Sequence, residues 1–92
     1  MADGGDQMYI HEAIAATNEH YPYITRAAWC GGSEEKPVVI TQILPTDGPD
    51  GMILDGLCNR SPSRGWQPRK RDLIADDWCV CAETNFRFQP WR

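Results

Sequence analysis

The residues able to do chemistry in this chain concentrate between Trp66 and Trp78, in the stretch WQPRKRDLIADDW. It holds a tryptophan at each end, the basic triplet Arg69-Lys70-Arg71, and the aspartates Asp72, Asp76 and Asp77. Flat indole faces stack on nucleobases, and guanidinium groups fork onto phosphates. A ligand that carries both a ring and a phosphate needs those two chemistries side by side. With Trp29, Arg26 and Arg64 added, the set Trp29, Trp66, Trp78, Arg26, Arg64 and Arg69 can line one pocket. The same residues admit a structural reading, in which the tryptophans fill a small core and the basic run is a solvated loop.

Other constellations are weaker. Cys79 and Cys81 stand two apart, so on a strand their thiols point the same way. With Cys30, Cys58 or a histidine they could ligate zinc, but a structural zinc site brings a second closely spaced cysteine pair, and none is present. Buried free thiols are the better expectation. His11, His20 and Cys30 lack any motif for nucleophilic catalysis. Asp76 and Asp77 could act as an acid-base or magnesium pair, yet adjacent carboxylates on one turn diverge, which favours surface or capping roles. No glycine loop of Walker or dinucleotide type is present.

Charge sharpens the picture. The chain of 92 residues has net charge -4, which disfavours a nucleic-acid polymer as partner. Yet Arg60, Arg64, Arg69, Lys70 and Arg71, five of the nine basic residues, lie between 60 and 71 with no acid among them. One positive patch on an acidic protein suits a small anionic ligand. No stretch approaches the roughly 20 apolar residues of a membrane span, and the start MADGGDQ lacks the features of a secretory signal. A cytoplasmic location with reduced cysteines is the expectation.

The elements that must position these residues read as an α+β domain. Residues 1–7 are expected to be a disordered extension. Met8 to Glu19 carries the helical pattern, with Ile10, Ala13, Ile14 and Thr17 on one face at ~3.6-residue spacing. Ile24 to Trp29 reads as a short strand, with Arg26 and Trp29 on opposite sides. Pro37 to Leu44 is the strongest strand signal, being rich in β-branched residues. Pro45 to Gly51 is a turn, and Met52 to Leu57 can return as a hairpin. Asn59 to Gly65 is a polar loop. Asp72 is a good N-cap for a single helical turn, Leu73 to Asp77. The alternating run from Trp78 to Glu83 is the last strand. Residues 84–92 form an aromatic tail expected to dock on a surface or a partner subunit. The sum is one domain over 8–83, an N-terminal helix packed on a small antiparallel sheet. At this size a single core is modest, so a homo-oligomer is expected.

Three pieces together resemble a known family. They are the start MYIHEAI, the segment ITRAAW, and above all W-x-P-x-x-x-D-L-I-A-D-D-W at 66–78. The chain resembles the small phage and prophage proteins known as Thoeris anti-defence proteins of the second type, over about Met8 to Glu83. The terminal motif is specific; the other two are not. The resemblance implies a non-enzymatic sponge that needs no cofactor. Such a protein sequesters a cyclic ADP-ribose-type immune signal, and in some members cyclic dinucleotides, in the cytoplasm of the infected bacterial host. It also implies a homotetramer with ligand held between subunits. By position, Arg26 and Trp29 match the family's Arg-x-x-Trp, while Trp66, Pro68, Asp72, Ala75, Asp77 and Trp78 match the terminal motif. Ligand contacts are expected among these, with Arg64 and Arg69 added from the residue-level argument. The segment NEHYPY replaces the family's glycine-lysine turn, and the basic run and aromatic tail are additional. Two other functions fit the residues: a nucleotide-degrading enzyme using Asp76, Asp77 or a histidine, and a protein-interaction inhibitor of a host factor acting through the tail.

Overall fold

The computed structural model describes residues 8–32, 37–57, 59 and 61–84. The N-terminal extension, most of the aromatic tail, Cys58 and Arg60 lie outside the described residues. The elements are α1 (Ile10–Ala16), β1 (Tyr23–Arg26), a 3₁₀ turn (Ala27–Trp29), β2 (Cys30–Gly32), β3 (Pro37–Val39), β4 (Thr41–Pro45), β5 (Met52–Gly56), α2 (Lys70–Ile74) and β6 (Trp78–Cys81). Four strands form an antiparallel sheet in the order β5-β4-β1-β6, and β2-β3 form a separate ribbon. The expected small α+β fold with a short helix and an antiparallel sheet is present.

The helix is shorter than its periodicity predicts. It starts after Tyr9, whose N–H donates to Glu12 Oε1 at 2.9 Å. It stops at Ala16 because the next two side chains compete for the backbone. Thr17 Oγ1 donates to the Ile14 carbonyl at 2.8 Å, and Asn18 Oδ1 accepts from the His20 and Tyr21 N–H groups at 2.8 and 2.9 Å. That turn redirects the chain into β1. Ile10 and Ala13 are buried against the sheet while His11, Glu12 and Ala15 are exposed, as the spacing requires.

The run PVVITQIL does not form one strand. It breaks at Ile40, leaving β3 paired with β2 and β4 paired with β1 and β5. At the corner the Ile40 N–H donates to the Trp29 carbonyl (3.2 Å) and its carbonyl accepts from Leu57 (3.0 Å). Gly56 is required beside it, since a Cβ there would sit 2.8 Å from the Ile40 carbonyl oxygen.

Register assigns the sheet its two faces. Ile24 lies opposite Ile43 and Val80, Ile43 opposite Leu54, and Arg26 opposite Trp78. Side chains alternate along each strand, so these residues share one face, which α1 covers. The core is Ile10, Ala13, Ile24, Ile43 and Trp78, with Met8, Trp29, Leu54, Trp66 and Ala75 among the residues packed around it. The opposite face carries Thr25 and Gln42, both buried, together with Tyr23, Cys79 and Cys81. Among the described residues no helix is long and apolar enough to cross a membrane.

Candidate ligand-binding groove

Three elements converge at the end of the apolar face. The first is the 3₁₀ turn after β1. Strand alternation would put Arg26 and Trp29 on opposite sides, but the turn swings the indole back over the arginine, and Arg26 Cζ lies 5.8 Å from the Trp29 ring centroid. Asp77 holds this turn. Its backbone carbonyl accepts from the Ala27 N–H (3.0 Å), and its Oδ2 accepts from the Ala28 N–H (3.2 Å).

The second element is the loop before Trp66, which is pinned along the outer edge of β5. Ser63 and Leu54 exchange two backbone hydrogen bonds of 2.8 Å each. Gly65 takes a positive φ of 69°, a conformation glycine adopts without a Cβ penalty. Trp66 then donates its N–H to the Met52 carbonyl at 2.8 Å.

The third element is α2. Asp72 is not its N-cap, as the sequence suggests. The helix begins one turn earlier, with Arg69 at the cap and Asp72 three residues in. Asp72 Oδ2 accepts from the Arg69 N–H at 2.9 Å, so its carboxylate still satisfies an orphan donor at the helix start, from inside the first turn. The basic triplet therefore belongs to the helix start rather than to a loop.

The tryptophans divide by role. Trp78 is fully buried, and its indole N–H donates to the Asp72 carbonyl at 2.8 Å. Trp29 packs edge-on against Trp78 (5.0 Å, 82°) and against Trp66 (6.0 Å, 88°). Trp29 and Trp66 are only half-buried. Edge-to-face contacts of this kind are each worth about 0.5–1.5 kcal/mol beyond burial. The structural alternative thus holds for Trp78, while Trp29 and Trp66 keep part of their surface open.

They open into a groove of about 470 Å³ lined by Arg26, Trp29, Leu54, Trp66, Arg69, Arg71 and Asp72. Arg26 is bound on two sides, Nε to Asp77 Oδ1 at 2.9 Å and Nη1 to Asp72 Oδ1 at 3.3 Å. The hydrogen bond to Asp77 raises the Arg26 guanidinium above its ordinary value; burial opposes this, and the charges of Asp77 and Asp72 reinforce it. Burial works against the charge of Asp77, but the hydrogen bonds from Arg26 and Ala28 and the Arg26 charge outweigh it, so its carboxyl lies below the ordinary value. Arg69 and Arg71 are exposed and form no ion pair among the described residues.

No family model, curated protein or solved structure matches this chain.

Of the residues expected to form a site, Arg26, Trp29, Trp66, Arg69 and Asp72 meet in the groove, and Asp77 stands behind Arg26. Ala75 packs on the core, and Pro68 is half-buried between Trp66 and α2 without lining the groove. Arg64 is elsewhere. It lies 3.7 Å from Asp50 and borders a hollow shared with Tyr23, Leu44 and Ile53, whose side chains point to the opposite face of the sheet. Arg71, from the basic triplet, and Leu54 also line the groove. A signal for Arg71 existed in its place in the basic run; Leu54 had none beyond its strand. Among the described residues, the hollows beside α1, beside Cys79 and beside Arg64 bring no indole next to an unpaired guanidinium. Cys30 and Cys81 are half-buried free thiols, and Cys79 is half-buried beside them on β6. Among the described residues no group of three or more His, Cys, Asp or Glu is placed to hold a metal ion.

Proposed function

We propose that this protein binds a cyclic nucleotide immune signal, of glycocyclic ADP-ribose or cyclic dinucleotide type, and sequesters it without cleaving it. In this reading it is a phage or prophage anti-defence protein acting in the cytoplasm of the infected bacterial host. The observation that carries the proposal is the groove itself, where two half-open indoles stand beside two guanidinium groups that form no ion pair among the described residues. The resemblance of residues 66–78 to the sponge family's terminal motif also supports it.

Magnitudes bear on the assembly. Two rings at about 1–3 kcal/mol each and two charged contacts at about 1.5–3 kcal/mol each give roughly 5–12 kcal/mol before association costs. Association removes at least about 4 kcal/mol, so one open groove reaches about micromolar binding at best. A sponge must bind more tightly than that. We therefore place the remaining contacts on a neighbouring copy in a homotetramer, with the ligand held between subunits.

Asp77 bears on the choice between binding and hydrolysis. Its carboxylate is tied to Arg26 and held below its ordinary value, which makes it a poor proton shuttle near neutral pH. The test is to incubate the protein with glycocyclic ADP-ribose or a cyclic dinucleotide, remove free ligand by filtration, and heat the complex. Intact ligand should come off the denatured protein. Degraded ligand in the filtrate would establish an enzyme instead, and no retention would end the proposal. Trp66→Ala should keep the fold and weaken retention by about tenfold or more.

A further inference from the structure

The groove is electrically divided. At its floor, Arg26 sits between Asp72 and Asp77, one cation against two carboxylates at 3.3 and 2.9 Å. At its lip, Arg69 and Arg71 are exposed and face no acid within ion-pair distance among the described residues. An incoming anion therefore meets a net negative floor and a doubly positive lip. Coulomb attraction places it at the lip.

We infer that anion recognition in this groove belongs to Arg69 and Arg71, and that Arg26 is a positioning residue whose task is to hold the Trp29 ring. This inference rests on the reading of the groove as a ligand site, and it reverses the role that residue type alone assigns to Arg26. Four contacts support it. Two of the guanidinium nitrogens donate to carboxylates, the guanidinium lies against the Trp29 ring, and Asp77 also ties down the 3₁₀ turn that carries Trp29. Arg26 and Asp77 thus form one brace, and Trp29 is what it fixes. Arg69 differs in that Asp72 accepts from its backbone N–H, which leaves the guanidinium free.

The experiment is a titration of the full chain with inorganic pyrophosphate at several salt concentrations, followed by tryptophan fluorescence. Near-UV circular dichroism of the free protein is recorded alongside. Arg69→Ala and Arg71→Ala should each weaken pyrophosphate binding by about tenfold and flatten its salt dependence. Asp77→Asn removes one floor charge and, having a single acceptor oxygen, keeps one of the two hydrogen bonds that Asp77 accepts from Arg26 and Ala28. If Arg26 only positions, Arg69→Ala and Arg71→Ala still cost about tenfold in this background, and any tightening from the lost floor charge fades at high salt. If Arg26 contacts the anion, the tightening persists at high salt and Arg69→Ala and Arg71→Ala in this background cost little, and the inference is overturned. Arg26→Gln should alter the near-UV tryptophan signal, and Arg69→Ala and Arg71→Ala should keep their cost of about tenfold in its background; an unaltered signal with loss of pyrophosphate binding at high salt also overturns the inference. No pyrophosphate binding by the wild type overturns it as well. Should pyrophosphate bind through Arg69 and Arg71 while no cyclic nucleotide is ever retained, the proposed function falls and this inference stands.

Discussion

The two faces of the four-stranded sheet are both sealed near their centres, but by different means. The face under α1 is closed by packing, with Ile24, Ile43 and Trp78 fully buried. The opposite face is closed by hydrogen bonds around Gln42. Its Nε2 donates to the Ala82 carbonyl and to Cys81 Sγ at 3.1 Å each, and its Oε1 accepts from the Thr84 N–H at 2.8 Å. Thr25 Oγ1 adds a 2.6 Å bond to the Thr41 carbonyl. The contrast bears on how each face opens at its edge. An apolar face can run out past its last strand into half-covered rings, because dispersion contacts are lost gradually. A polar face must satisfy each donor and acceptor or leave it in water, so it is sealed around Gln42 and opens only at its margin, in the hollow beside Arg64, Leu44 and Ile53.

The largest expected effect is on the packed face. Trp78→Ala removes the biggest fully buried side chain and leaves a cavity, which should cost about 3–5 kcal/mol. For a domain of this size that is a large share of the total stability. Urea denaturation followed by far-UV circular dichroism reads it. A midpoint close to wild type would mean that the rings, not α1 and the strands, are peripheral.

Gln42→Leu tests the other face. The change is apolar and similar in size, yet it orphans the Thr84 N–H and the Ala82 carbonyl, at about 1–3 kcal/mol. The same denaturation measurement should rank it below Trp78→Ala. A stabilised variant would show that this face is held by packing after all.

The pH limits of stability should divide between the faces too. Asp77, at the end of the packed face, titrates below its ordinary value of 3.8. The unfolded chain therefore takes up this proton first. The stabilisation is complete above pH 3.8 and is lost as pH falls below it towards the folded value. Asp77→Asn should flatten that acid limb. On the hydrogen-bonded face, burial pushes the Cys81 thiol from 9.0 up to about 11. Here the unfolded chain ionises first, so stability is whole below pH 9.0 and declines as pH rises towards about 11. Cys81→Ala should remove this alkaline limb and leave the acid one alone. Exchange of the two effects between the variants would break the assignment of faces.

The smallest effect is kinetic. Native Cys81 should react with iodoacetamide slowly at neutral pH, because the thiolate is the nucleophile and burial suppresses it. Labelling followed by mass spectrometry should show the rate rise on unfolding. Fast native labelling at Cys81 would mean that the polar face opens readily.

What the amino-acid order determined is local and periodic. The apolar faces of α1, the β5 hairpin and the last strand follow from which side chains recur at helical or strand spacing, and burial of one face is enforced wherever they pack. The convergence of tryptophan and arginine on a ligand-like groove was legible as residue types, from Arg26, Trp29, Trp66 and Arg69. The order of residues did not determine where helices stop, where strands turn, or which charges cancel. Thr17 and Asn18 end α1 through side-chain hydrogen bonds that are a matter of geometry. Ile40 switches sheets because its partners, Trp29 and Leu57, are distant along the chain. Arg26 and Arg69 look alike in the sequence. Only the fold brings Asp72 and Asp77 against the first and leaves the guanidinium of the second in water, because a charge is defined by what stands within a few ångströms of it and not by its neighbours in the chain.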